Sequence, residues 1–115
     1  MNISEKFILI RNFSNEICAN LENEDFVVQP CEEVSPPKWH LAHTTWFFEE
    51  FILIPFVKDY KLYNKDFRLL FNSYYKGAGE HWIQGDRGCL SRPTVREVFA
   101  YREHINKTMI EFLKN

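Results

Sequence analysis

The residues of this chain whose types and placement bear most directly on chemistry are four histidines, His40, His43, His81 and His104, and two arginines, Arg87 and Arg92. A neutral imidazole can bind a metal or move a proton near neutral pH. Two arginines beside a helix N-terminus, with its free N–H groups, can hold a carboxylate. Helical periodicity in the stretch WHLAHTTWFFEEFIL puts Trp39, Ala42, His43, Trp46, Glu50 and Leu53 on one stripe, widened by Phe47, Phe51 and Ile54. His43 sits squarely in that seam and His40 about 60° off it. An inward histidine is either a hydrogen-bonded core residue or a metal ligand. A metal site takes three or four ligands, and His43 supplies one. Glu50 lies two turns on, better placed to accept an imidazole N–H than to bind the same metal. The chain has no HxxxH, HExxH or CxxC. His104 falls opposite the seam of its helix and reads as solvent-exposed; His81 lies in a loop. Arg87 and Arg92 flank the turn DRGCLSR, where they form a carboxylate site or else pair with Asp86, a bundle-end carbonyl and water. Cys89 has only Arg87 nearby to activate it, so no nucleophile and no catalytic residue is assigned.

The elements that must position these side chains are helices. Residues 3–22 read as a first helix, with Ile3, Phe7, Ile10, Ile17 and Leu21 as its apolar stripe. The second is capped by Ser35, carries Pro36 and Pro37 in its first turn, and ends near Pro55. Residues 55–92 form a long connection, with a short helix predicted in DFRLLFNSYYKGAG. There Phe67, Leu70, Phe71, Tyr74 and Tyr75 recur at helical spacing, and Gly77 and Gly79 supply the stop. The turn-rich GEHWIQGDRGCLSR is expected to pack over one end of the bundle. A third long helix runs from about 93 to 114, with Ser91 as cap, Pro93 in the first turn, and Val95, Val98, Arg102, Ile105, Met109 and Phe112 as its seam. The chain thus reads as one all-α domain over residues 1–115, a bundle of three long helices and one short one. Four is the common number in such bundles, so one apolar groove is expected to lie open.

Composition narrows the function. Hydrophobic residues make up 45% of the chain and aromatics 17%, with 11 phenylalanines, which implies a thick aromatic core. A net charge of -2 and no basic stripe argue against nucleic acid as a partner. The N-terminal MNISEKFILIRNF is neither a signal peptide nor a membrane span. Three scattered cysteines fit free thiols in a reducing cytoplasm.

Three blocks, SPPKWHLAHTTWFFEEFIL, LFNSYY and RGCLSRPTVREVFAYR, in this order and spacing, resemble the N-terminal DinB-like domain of the ergothioneine-biosynthesis sulfoxide synthases. The likeness covers roughly residues 35–110. Those are iron(II) enzymes that use oxygen to join hercynine to the sulfur of γ-glutamylcysteine or cysteine. Selenoneine-forming and ovothiol-type synthases share the architecture. The resemblance implies a four-helix DinB-like bundle with three iron-binding histidines. The LAH segment of the second helix maps the first of them onto His43. The other two belong to an HEQQH-type motif on a fourth helix, which this sequence does not contain, nor does it contain the family's C-terminal domain. The family's substrate-binding arginines suggest Arg87 and Arg92.

One imidazole cannot hold iron(II) usefully against water. The expectation is therefore a fragmentary gene, a split subunit or an excised piece of such a synthase. Such a piece is inactive alone, partnered by its missing C-terminal segment or by a second copy of itself. The alternatives are a metal-free DinB-like interaction module, and a small metalloprotein that uses His43 with His40 or His81.

Overall fold

The structure, a computed structural model, describes residues 1–73 and 81–114. It is an all-α bundle of three long helical segments and one short helix, as the periodicity predicts. Among the described residues there is no strand, only an isolated bridge between Cys31 and Val34. No helix is long and apolar enough to cross a membrane.

α1 spans Ile3–Ile17. Asn2 starts it with a capping box: its side chain accepts from Glu5 N–H at 2.9 Å, while the Glu5 carboxylate accepts from Asn2 N–H at 3.2 Å. The helix ends five residues before the expected 22, where Cys18 N–H folds back on the Asn15 and Glu16 carbonyls. Its buried face is also not the isoleucine stripe. Ser4, Phe7 and Arg11 face inward, whereas Ile3, Ile10 and Ile17 are 65%, 63% and 67% exposed. The i, i+7, i+14 isoleucines do form one row, but the neighbouring row packs on the bundle.

A short 3₁₀ turn, Asn23–Val27, tucks Phe26 under the bundle and leads to the second segment. α2 spans Pro37–Phe48. Pro36, not Ser35, is its N-cap, and the cap bears no side-chain hydrogen bond. The Ser35 hydroxyl is instead used by Arg87, whose Nη1 donates to it at 2.9 Å. α2 does not stop before Pro55. It widens into a π-helical turn, Glu49–Leu53, and runs on through α3, Ile54–Phe56. Pro55 falls in the first turn of α3, where a missing N–H costs little. Glu49 and Glu50 are both buried within this turn.

α4 is the short helix Phe67–Phe71. The predicted Tyr74, Tyr75, Gly77 and Gly79 lie outside the described residues. After His81 the chain forms a 3₁₀ turn, Gln84–Cys89, that caps the N-terminal end of α2 as expected. Gln29 clasps it: Nε2 donates to Gln84 O at 2.8 Å, and Oε1 accepts from Gly88 N–H at 2.5 Å. A Cβ on Gly88 would lie 2.7 Å from the Gln29 side chain, so only glycine fits that approach.

α5 spans Val95–Lys114 and is the central element. It packs against both α1 and α2, which touch each other little. Its start is set by Thr94 rather than Ser91. The Thr94 hydroxyl accepts from Glu97 N–H at 3.1 Å, and the Glu97 carboxylate accepts from Thr94 N–H at 2.9 Å. Pro93 precedes the cap, after a cis peptide bond, instead of sitting in the first turn. Val98, Tyr101, Arg102, Ile105 and Met109 form the buried face of α5. They meet Trp39, Ala42, Trp46, Leu53, Phe67 and Phe71 in one core.

Candidate functional site

His43 is built into α2 by its own neighbours. Trp39, four residues earlier, stacks on the imidazole with ring centroids 4.5 Å apart and planes 11° apart. Trp46, three residues later, does so at 5.6 Å and 17°. Residues at these spacings share a helix face, so the sequence itself places two indoles around the histidine. α4 supplies the third constraint. The last carbonyls of a helix lack intrahelical donors. Here Leu70 O accepts from Trp39 Nε1 at 2.9 Å, and Phe71 O lies 2.6 Å from His43 Nδ1. A carbonyl can only accept, so Nδ1 bears the hydrogen and Nε2 is the lone-pair nitrogen of the neutral ring. Burial lowers the His43 pKa, with the charges of Arg87 and His40 adding to it, although the Phe71 bond acts the other way. At neutral pH the ring is a neutral donor with its tautomer set, the state a metal ligand needs.

Glu50 does not stand behind the imidazole. It is pulled into an ion pair with Arg68, whose Nη2 lies 2.5 Å and Nε 3.2 Å from Oε1. The π-helical turn re-aims this part of the segment, so the backing role predicted for Glu50 falls to the Phe71 carbonyl. Its neighbour Glu49, which the sequence reading passed over, is 2% exposed. It accepts from Tyr60 Oη at 2.5 Å, Tyr63 N–H at 2.9 Å and Tyr101 Oη at 2.8 Å. Burial and the carboxylate push both phenols well above the usual tyrosine range. Glu49 is thus a structural junction; adjacent glutamates in an apolar run were the only sign of it.

The two predicted arginines part company. Arg87 is buried, its guanidinium 3.4 Å from the centroid of a Trp39 ring, which extends the stack Arg87–Trp39–His43–Trp46. Arg92 is exposed and donates to Ser91 O at 3.2 Å. They do not converge on one carboxylate pocket. A cavity of about 700 Å³ at the start of α5 is lined by Lys38, Thr94 and Arg96, without either of them. His104 is exposed as predicted, and its ring lies 5.1 Å from that of Tyr63. His40 is exposed and edge-on to Trp39. His81 is half-buried in the loop.

His43 opens on the gap between α1 and α2. Cavities of about 440 and 320 Å³ share Ser14 and Thr44, and a third of about 300 Å³, which shares Ile10 and Phe48 with the second, is walled on its far side by Met109, Phe112 and Leu113 of α5; together they run along α1. Their walls are chiefly aliphatic and aromatic. In the middle one, His43 and Arg11 line the same space.

Among the described residues no three His, Cys, Asp or Glu side chains come together to hold a metal. The described residues therefore do not by themselves make a metal site. Neither His40 nor His81 joins His43 in such a group. The three cysteines are free thiols. Fold and site define an all-α bundle that presents a clamped, neutral histidine to an open apolar groove. No protein-family model matches the chain, and no curated protein matches it.

Proposed function

We propose that this chain is the N-terminal, DinB-like part of an oxygen- and iron-dependent sulfoxide synthase acting on hercynine and γ-glutamylcysteine or cysteine in the cytoplasm. A selenoneine- or ovothiol-type synthase is the nearest variant. His43 is one of three iron ligands, and the others come from a helix that completes the bundle. The observation that supports this reading is the histidine itself. Its Nδ1 hydrogen is committed to Phe71 O at 2.6 Å, its ring is clamped between two indoles, and the residue lines the middle cavity of the groove. In this reading Arg87 acts through Trp39 to hold the ring, and Arg92 has no part in the site. The chain alone binds no stoichiometric iron and has no activity.

The test is to co-produce the chain with a segment bearing an HEQQH-type helix and measure iron per complex. One iron per complex, lost in His43→Ala, is expected. Stoichiometric iron in the isolated chain would overturn the reading, as would iron in the complex that survives His43→Ala.

The open groove favours a second reading, a metal-free helical interaction module. It would be chosen if the complex forms with equal affinity for wild type and His43→Ala and carries no metal.

A further inference from the structure

Arg11 and Arg102 are only 3% and 2% exposed and lie side by side beneath the α1–α2 groove. Arg11 Nε donates to Asn106 Oδ1 at 2.7 Å, and its Nη2 to Thr45 Oγ1 at 2.5 Å. Arg102 donates to Leu41 O at 2.9 Å and to Arg11 O and Asn15 Oδ1 at 3.3 and 3.4 Å. Every one of these acceptors is neutral. The buried Arg102 Nε has no acceptor, and the ion pair found among the described residues is elsewhere, between Arg68 and Glu50. Two adjacent buried cations with no anion are costly, because a buried charge needs an opposite one to offset its lost hydration. Burial and the neighbouring Arg102 push the Arg11 pKa down to about 9, which reports the same missing charge.

The groove above them gives the shape of what is missing. It follows α1, 15 residues and so about 22 Å long, and its walls are apolar: Ile3, Ile10, Ile17, Phe47 and Phe48. Arg11 reaches the groove in its middle cavity, beside Ser14 and Thr44. A channel of one helix's length, apolar at both ends and cationic halfway along, complements an amphipathic helix with a carboxylate at the centre of its apolar face.

We infer that the α1–α2 groove docks an amphipathic helix with an Asp or Glu at the centre of its apolar face, whose carboxylate pairs with Arg11. The inference stands on the arginine pair and the groove alone and does not require the iron reading.

The test uses two helical peptides of about 16 residues, each with a leucine face and lysine and alanine elsewhere. One bears Glu at the centre of the leucine face and the other Gln. Binding to the full chain is followed by fluorescence anisotropy at pH 7. The Glu peptide is expected to bind at least about tenfold more tightly. The Arg11 Nε–Hε NMR resonance should shift only with that peptide. Arg11→Lys should keep part of the preference and Arg11→Gln should abolish it. If the buried variants do not fold, the wild-type NMR titration decides. Ile10→Glu, on the exposed wall, should weaken the Glu peptide more than the Gln peptide. Equal affinity of the two peptides overturns the inference. So does a stable dimer, seen by sedimentation, that excludes both, because the occupant would then be a second copy of the chain.

Discussion

At the scale of single residues, the chemistry rests on one proton. The Phe71 carbonyl holds a hydrogen on His43 Nδ1, and burial disfavours a second one. The His43 pKa is therefore below its ordinary 6.5. Between the depressed folded value and 6.5 the unfolded chain binds more protons at this site. The resulting stability is fully present above about pH 6.5 and is lost as pH falls through the folded pKa. Two measurements check this. Imidazole 15N shifts should show an Nδ1–H tautomer at pH 7 that titrates below 6.5. Wild type, but not His43→Phe, should lose part of its urea resistance over that window. The histidine and its two tryptophans were legible in the sequence, because one helix face brings i, i+3 and i+4 together. The carbonyl behind the ring was not, because it belongs to α4, 28 residues away, and a backbone acceptor leaves no trace in residue identity.

At the scale of elements, helix ends explain most differences between expectation and structure. Ser35 and Ser91 both look like caps in sequence, and neither is one. Ser35 serves Arg87, and Thr94 with Glu97 closes a capping box on α5 instead. Removing the Thr94 hydroxyl frees an N–H at the head of the central helix. Thr94→Ala is expected to cost about 1 kcal/mol in urea denaturation, and Ser91→Ala less than about 0.5 kcal/mol. The exposed Glu97 carboxylate is held below its usual pKa first by the Thr94 N–H and then by the Thr94 hydroxyl, so in Thr94→Ala, which keeps that N–H, its pKa should rise only part of the way back. The second segment shows a related limit. Its apolar pattern continues smoothly into Pro55, and nothing in the residues marks the π-helical turn in which Glu49 and Glu50 lie. That turn is decided by the partners on either side, Tyr101 for one carboxylate and Arg68 for the other.

At the scale of the whole molecule, Glu49 ties together α2, the connection and α5 through Tyr60, Tyr63 and Tyr101. Deleting that acceptor strands two phenolic donors and one backbone N–H in or near the core. Glu49→Ala is expected to lower global stability by about 3 kcal/mol or more, and Glu49→Gln, which keeps one acceptor, by less. Glu50→Gln should cost less than Glu49→Ala, since its partner Arg68 has a half-exposed side chain. Chemical denaturation followed by tryptophan fluorescence would rank the three.

The sequence by itself determined the all-α class, the three long helical segments and the placing of His43 between two indoles. All of these are set by periodicity within one helix, where geometry follows from spacing. The widening of the α2 seam by Phe47 and Ile54 did not hold: both are exposed, and Leu41 and Thr45 are buried instead. The tertiary structure alone decided which face of α1 is buried, because its isoleucine row and its Phe7–Arg11 row are both plausible until α5 takes one of them. It decided that Glu50 answers Arg68 and not the imidazole, and that Arg87 and Arg92 face different environments. It also brought Arg11 and Arg102, 91 residues apart, together beneath an apolar groove. Contacts between segments depend on packing, and no spacing along the chain encodes them.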